Sequence, residues 1–419
     1  MLTVNAHRLL DDLADLSRIG ATPDGGVHRP ALSPADMAAR AWFQERVEAA
    51  GLRFAQDGAG NLSAVLPCDN PQARTLLCGS HLDSVPNGGR FDGPLGTLAA
   101  LEALRTIQEA GLDLPVHLEA IAFTDEEGAH HHLLGSRALT GLLPAEELPH
   151  PHGRPKAFQA GLERAGLTFE SILSAARSPE TLAGYVELHI EQGRRLEQAR
   201  INIGAVTAIV GIRSFWLTFT GQAAHAGTTP VNERQDALRG AAEFVLWAQQ
   251  MVIDRFLPGT VNCGIVETLP GAFNIVPGRV RLALEFRHDS ADQLDAMQKT
   301  LLALAQDAAQ VHDLHLAVTP LGGVEPATFD EVVVQAIERA AGRLGLTCTR
   351  LLSFAGHDAQ NLSRITPAAM IFVPSVEGIS HNPAEFTRDK DVINGANTLL
   401  HTLLILAENM AGLADSAVS

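Results

Sequence analysis

The sequence predicts an α/β protein: a mixed, mainly parallel sheet flanked by helices, interrupted by a smaller α+β unit. Three observations predict it. Short apolar runs alternate with helical stretches early in the chain, the pattern changes near residue 210 to strands alternating apolar and polar residues, and the first pattern resumes after Gly322-Gly323. At 419 residues, 46% of them apolar, the chain is also too long for one compact core.

Leu9, Leu10, Leu13 and Leu16 interleave with Arg8, Asp11, Asp12 and Asp15, an amphipathic helix instead of a signal h-region. Ser33-Pro34-Ala35-Asp36 supplies a cap, a proline at the first helical position and an early acid, so a helix runs to about Ala50, where Gly51 ends it. Asn61 to Leu66 and Thr75 to Cys78 read as strands, Gly96 to Ala110 as a helix, and Val116 to Phe123 as a strand. In such sheets ligands gather at the carboxyl ends of strands. From Arg213 to Thr220, Phe215, Leu217 and Phe219 alternate with Ser214, Thr218 and Thr220, a half-buried strand. A helix from about Asp236 to Val252, strands around Val261 to Val266 and Gly278 to Phe286, and a helix from Ala291 to His312 complete an inserted domain at 211–322. Residues 1–210 and 323–419 then form one discontinuous domain, with a helix near Phe329 to Leu344, a strand at Ala368 to Val373 and a closing helix from about Asp389 to Leu413.

The balance of 31 basic against 48 acidic residues gives a formal net charge of −17, which repels nucleic acid and anionic membrane surfaces. Cys68, Cys78, Cys263 and Cys348 show no metal-ribbon or disulfide spacing, which fits a reducing cytoplasm. No long uncharged apolar run predicts a membrane span.

The chemistry lies in Gly79-Ser80-His81-Leu82-Asp83, Gly89-Arg90-Phe91-Asp92-Gly93, Asp125-Glu126-Glu127-Gly128, Glu187-Leu188-His189-Ile190-Glu191 and Ser380-His381-Asn382. Three imidazoles and two carboxylates can hold a pair of divalent ions. Asp92, in a glycine-rich turn, is the expected bridge, with Glu127 and His381 completing one ion and His81 and His189 the other. The N/O donors suit zinc, manganese, cobalt or nickel. Adjacent glutamates on an extended segment point apart, but a turn after the strand lets Glu127 ligate while Glu126, as general base, takes a proton from the attacking water. Asp83 is expected to hydrogen-bond the second nitrogen of His81. A lone histidine in a strand is ordinarily a satisfied core residue and an Asp-Glu-Glu run a solvated loop. The ordered coincidence of five ligands outweighs both readings.

With these motifs, Gly25-Gly26-Val27-His28-Arg29, Leu134-Gly135-Ser136-Arg137, His189-Ile190-Glu191-Gln192-Gly193, Ala224-His225-Ala226-Gly227, Asn274-Ile275-Val276-Pro277, Phe286-Arg287 and Gly356-His357-Asp358-Ala359, the chain resembles the allantoate amidohydrolase and N-carbamoyl-L-amino-acid hydrolase family of the dinuclear aminoacylase and carboxypeptidase-type clan. The resemblance spans nearly the whole chain. It implies a cytoplasmic homodimer joined through the inserted domain, a ferredoxin-like lid, with two metal ions per subunit. It implies that His225 reaches the partner subunit's active site and stabilises an oxyanion, that Asn274 and Arg287 bind the substrate with the guanidinium gripping a carboxylate, and that Gln192, Gly356 and His357 lie near the ureido end. A histidine at position 189 resembles the ureido-cleaving branch.

The implied substrate is an N-carbamoyl amino acid or related ureido acid, such as allantoate, N-carbamoyl-β-alanine or ureidoglycolate, cleaved to ammonia and carbon dioxide. An aminoacylase or dipeptidase is the nearest alternative, and a noncatalytic metal-containing binding protein a more distant one. The sequence departs from the family pattern after Gly128, where Ala129-His130-His131-His132-Leu133 replaces a small residue followed by Arg-Phe. Those histidines are expected either to reshape the pocket or bind metal weakly, or to form a loop without catalytic role.

Overall fold

Ser33 caps the helix Pro34–Ala49 with its side-chain oxygen, which accepts from the Asp36 N–H, while Pro34 and Asp36 occupy the first turn. The computed structural model describes residues 1–417, with side chains to residue 410. The chain forms two compact units, Ala208–Thr328 and the remainder: Met1–Thr207 together with the chain from Phe329 onward.

The larger unit is built on a mixed sheet. From one edge its order is Arg53–Gln56, Leu62–Leu66, His117–Phe123, Thr75–His81, Leu182–Ile190, Ala368–Val373 and Ile203–Ile209. The four central strands, His117–Phe123 through Ala368–Val373, pair parallel with one another. Their outer neighbours pair antiparallel. All nine residues of Leu182–Ile190 are buried. Such a strand shows no alternation, so the sequence presents only Tyr185 to His189 as strand-like.

Thr75–His81 runs past Cys78, where the sequence expectation stopped. Gly79 causes the difference: a Cβ there would fall 1.9 Å from the Ile121 oxygen on the neighbouring strand, so this glycine permits close pairing instead of marking a turn. Helix Pro94–Glu109 is buried from Pro94 through Ile107, packed against Thr75–His81, helix Ala6–Ser17 and the closing helix Asp389–Ala417.

The smaller unit follows a strand–helix–strand–strand–helix–strand path. Its four-stranded antiparallel sheet has the order His315–Val324, Gly211–Thr220, Arg279–His288, Thr260–Leu269, a ferredoxin-like arrangement. Phe215, Leu217 and Phe219 pack with Leu282, Leu284 and Phe286 against Phe244, Leu294 and Leu301 of helices Ala237–Arg255 and Ala291–Val311. Each such side chain contributes about 1.5–3 kcal/mol by burial, enough to fix which face of the sheet the helices cover. Among the described residues no helix is long and apolar enough to cross a membrane.

Candidate active site

Four parallel strands bring the candidate ligands together at their carboxyl ends. His81 closes Thr75–His81, Glu126 and Glu127 follow His117–Phe123, His189 is the penultimate residue of Leu182–Ile190, and His381 lies in the loop after Ala368–Val373. Asp92 stands in the turn leading into helix Pro94–Glu109. Gly93 follows with φ +81°, and a Cβ there would lie 2.4 Å from the His81 ring. Only glycine lets this turn pass the imidazole.

The two oxygens of Asp92 face different histidines. Oδ1 is 3.0 Å from His189 Nε2 and 3.7 Å from His81 Nε2, whereas Oδ2 is 3.3 Å from His381 Nε2. His381 Nε2 also lies 3.6 Å from Glu127 Oε2. Donor atoms of His81, Asp92 and His189 form one cluster within 4.8 Å, and those of Asp92, Glu127 and His381 form another. His381 reaches in from a left-handed backbone conformation, φ +54°.

The hydrogen-bond pattern requires something between these groups. His81 Nδ1 is 3.0 Å from the Asp83 backbone oxygen and His189 Nδ1 is 2.9 Å from the Ile190 oxygen. Carbonyl oxygens only accept, so both Nδ1 atoms carry protons and, in the neutral rings, both Nε2 atoms present lone pairs. His81 Nε2 is buried and has no hydrogen-bond partner, while His189 Nε2 faces a carboxylate oxygen. Either a proton or a cation must reconcile the second contact. Buried Asp83, Asp92, Asp125, Glu126, Glu187 and Asp358, with Glu127 beside them, crowd carboxyls that must either keep a proton or meet a cation. Imidazole and carboxylate donors around an unspent lone pair fit divalent metal ions.

Burial alone would raise the Asp92 carboxyl, but His189, His381 and His81 hold it well below the usual carboxylate range. For His81 burial opposes protonation, and the Glu126, Asp83 and Asp92 carboxylates overcome it to place the ring well above the ordinary value. Burial and neighbouring carboxylates push Glu127 up to about 7. His381 is raised to about 9, chiefly by Asp92. Glu126 is held well above the carboxylate range by burial and by Glu127, Asp358 and Asp83, against the attraction of His81. Its Oε2 is 3.6 Å from His81 Nε2. The elevated proton affinity suits a base.

The backbone turns before the two glutamates, as their shared role requires. Asp125 takes φ +55°, and its Oδ2 accepts from His130 N at 3.0 Å and His131 N at 2.7 Å. Asp83 differs from expectation: its carboxylate is 3.6 Å from His81 Nδ1, and the backbone oxygen makes the contact instead. The carboxylate accepts from the N–H groups of Glu126 and Glu127, at 3.4 and 3.2 Å. Asp83 therefore holds the glutamate turn directly and His81 through its main chain.

Asp92, Glu126, Glu127, His132, His189, Gln192, Ala355, Gly356, His357 and His381 line a cavity of about 110 Å³. Gln192 Nε2 donates to Asp92 Oδ2, and its buried Oε1 has no partner. His357 Nε2 is 3.0 Å from Ser353 Oγ, and the ring meets His189 edge-on. Of the three consecutive histidines, His130 and His131 pack their rings on Phe158, both at 5.0 Å, whereas only His132 joins the cavity wall.

His225 and Asn274 lie in the smaller unit, on and beside a two-stranded ribbon in which His225 pairs with Ile275 and Ala226 N donates to the Asn274 oxygen. His225 Nδ1 accepts from the N–H groups of Gly227 and Thr228 at 3.1 and 3.2 Å, so the neutral ring carries its proton at exposed Nε2. Arg287 Nε and Nη2 donate to Glu285 Oε1 at 2.9 and 2.8 Å.

Several supporting residues escaped sequence reasoning. Glu385 accepts from the N–H groups of Phe91 and Asp92, and Ser380 Oγ is 2.9 Å from Asp92 Oδ2. Glu187 accepts from Ser80 Oγ and Ala359 N. A glutamate inside an apolar strand was the available signal for Glu187; Glu385 is 293 residues from Asp92 and offered none.

A family model described as peptidase family M20/M25/M40 matches residues 77–405. The chain belongs to that family. Among M20/M25/M40 proteins it is 39% identical over 410 residues to the N-carbamoyl-L-amino acid amidohydrolase of Geobacillus stearothermophilus, covering 97% of this chain and 99% of that one. It is 31% identical to the allantoate amidohydrolase of Bacillus subtilis, with 96% and 98% covered. A solved hydantoinase/carbamoylase family amidase from Burkholderia ambifaria superposes with TM-score 0.90 at 36% identity, covering 97% of this chain and 98% of that one. These likenesses put the chain in the hydantoinase/carbamoylase branch of the M20/M25/M40 family.

Proposed function

We propose that this chain is a metal-dependent amidohydrolase cleaving the linear C–N bond of an N-carbamoyl-L-amino acid or related ureido acid. The observation that carries the reading is Asp92 shared between two donor clusters, with the carboxylate of Glu126 3.6 Å from His81 Nε2 beside them. Similarity to N-carbamoyl-L-amino acid and allantoate amidohydrolases supports the ureido substrate. The enzyme is a hydrolase of carbon–nitrogen bonds.

His81 and His189 would hold one divalent ion and Glu127 and His381 the other, with Asp92 between them; zinc or manganese suits the donors. Such ions supply Lewis acidity toward the ureido carbonyl and lower the pKa of water. Glu126 takes the proton of the attacking water on its carboxylate and delivers it to the departing nitrogen. Water adds to the carbonyl carbon, the bond to the terminal nitrogen breaks, ammonia departs, and the carbamic acid loses carbon dioxide to leave the amine. Gln192 Oε1, a buried acceptor without a partner, is suited to the ureido N–H. His225 offers its Nε2–H to the oxyanion of the partner subunit's site in a homodimer, and Asn274 and Arg287 bind the substrate acid.

Exposed Leu246, Ile253, Ile265, Val266, Leu269 and Phe273 on the smaller unit support its role as lid and dimerisation domain. Four free cysteines support a reducing, cytoplasmic setting. The test is ammonia release by zinc- or manganese-reconstituted protein from allantoate, N-carbamoyl-L-amino acids, N-carbamoyl-β-alanine and ureidoglycolate, with N-acyl amino acids and dipeptides followed by amine release. Turnover of the acyl or peptide compounds alone would make it an aminoacylase or dipeptidase. Metal binding without any turnover would make it a binding protein.

A further inference from the structure

The three histidines of the site are not held alike. His81 and His189 stand on strands, their side chains 1% exposed and each ring fixed by a backbone oxygen. His381 lies in a loop with its side chain 52% exposed and its backbone at φ +54°. Its place beside Asp92 and Glu127 is therefore set by the loop. That loop folds on itself after His381, where Ala384 N donates to Asn382 Oδ1 at 2.9 Å and Glu385 N to the Asn382 oxygen at 3.0 Å. Glu385 then turns inward and is buried.

A buried carboxylate needs hydrogen bonds, and those of Glu385 converge on Asp92. Oε1 accepts from Phe91 N at 2.9 Å and Asp92 N at 3.0 Å. Oε2 lies 3.0 Å from Ser380 Oγ, which is 2.9 Å from Asp92 Oδ2. The hydroxyl has one proton and serves one carboxylate at a time, but it is seated between both. Glu385 thus holds the main chain of Asp92 directly and meets its carboxylate through the residue next to His381. Gly89 makes room for this: a Cβ there would fall 2.0 Å from the Glu385 carboxyl carbon and Oε1.

We propose that Glu385 is a positioning residue that clasps the Asp92 turn to the His381 loop and so builds the ion site completed by Glu127 and His381. The inference rests on the two-ion reading above. The distance it sets is the 3.3 Å between Asp92 Oδ2 and His381 Nε2. Without the clasp the exposed loop no longer keeps His381 on its ion, which costs about ten- to a hundredfold in affinity for that ion. The other ion is spared, because His81 and His189 take their places from strands that Glu385 does not touch.

The experiment is a zinc competition titration with elemental analysis on wild type, Glu385→Ala, Glu385→Gln, Gly89→Ala and His381→Ala, with thermal unfolding of each metal-free protein as the fold control. Glutamine keeps an acceptor for both N–H groups and can donate to Ser380 Oγ, whereas Gly89→Ala keeps the carboxylate and displaces it. Glu385→Ala and Gly89→Ala are expected to weaken one of the two ions about ten- to a hundredfold, as His381→Ala does, with the other within about twofold of wild type. Glu385→Gln should hold both ions. Unchanged affinities in Glu385→Ala and Gly89→Ala would overturn the proposal, as would equal weakening of both ions, the mark of a general loss of structure. A loss in Glu385→Gln as large as in Gly89→Ala would also overturn it, since the charge and not the position would then matter. The glutamine and Gly89→Ala variants decide the matter alone if Glu385→Ala does not fold. Wild type binding fewer than two ions would overturn the two-ion reading itself.

Discussion

Gln192 donates its side-chain amide to Asp92 Oδ2 across 2.9 Å, which settles the orientation of the amide and leaves Oε1 buried without a partner. A buried acceptor left unsatisfied costs about 1–3 kcal/mol unless a ligand supplies the donor. Gln192→Ala is expected to raise KM for ureido substrates by about ten- to a hundredfold. N-acyl analogues lacking the terminal NH₂ should lose much less. Steady-state kinetics on paired carbamoyl and acyl substrates check this, and equal losses on both would remove the assigned contact.

Glu126→Gln keeps the size of the side chain and removes the proton acceptor. Turnover is expected to fall by about 10²–10⁴-fold with both metals retained, because the two donor clusters that share Asp92 do not include residue 126. Single-turnover ammonia release and elemental analysis measure the two quantities separately. Loss of metal in step with activity would make Glu126 a ligand.

Metal uptake should strengthen as pH rises. In the metal-free protein Asp92 holds His381 protonated up to about 9, and burial with the Asp92 charge keeps Glu127 protonated up to about 7. Below those values each group must lose its proton before it can ligate, so bound protons compete with metal. Affinity is expected to rise by about tenfold per pH unit for each proton displaced, across the range from pH 6 to 8. Zinc competition titrations at several pH values, with proton release followed in weak buffer, test the sign and slope.

Gly93→Ala should damage the site more than the fold. A Cβ would meet the His81 ring at 2.4 Å and would sit on a backbone at φ +81°. The left-handed backbone costs about 1–2 kcal/mol, and displacement of a ligand imidazole costs metal affinity. The expected result is a modest drop in Tm with a larger loss of metal at the His81 side. Calorimetry and metal stoichiometry distinguish them.

Arg29 is a buried cation whose hydrogen bonds go to backbone. Its Nε donates to the Leu82 oxygen at 2.7 Å, and Nη1 to the Leu16 and Ile19 oxygens at 3.0 and 2.8 Å. It joins the end of helix Ala6–Ser17 to the segment following His81. Arg29→Met leaves those carbonyls unpaired and should destabilise the fold by about 2–4 kcal/mol. Denaturant unfolding of the metal-free protein measures this without interference from ligand binding.

Much of the architecture is legible locally because local chemistry dictates it. Ser33-Pro34 starts its helix, the alternation of Phe215, Leu217 and Phe219 sets the inward face of its strand, and Ala368–Val373 stands where its apolar run predicts. Leu182–Ile190 was only partly legible, since a strand covered on both faces lacks a period. The extension of Thr75–His81 was hidden by Gly79, whose role depends on a neighbouring strand.

The sequence by itself determined the residue types proposed to hold two cations and the order in which they occur: His81, Asp92, Glu127, His189 and His381, with Glu126 as the proposed base. Tertiary structure decided their company. Strand order brings segments separated by up to about three hundred residues to one edge of a parallel sheet, so that Glu385 supports the Asp92 turn and Gln192 braces its carboxylate. It also separated three identical neighbours, burying His130 and His131 while exposing His132 to the cavity. Composition assigns a histidine its chemistry; only packing decides whether its lone pairs meet phenylalanine, a carboxylate or an open pocket.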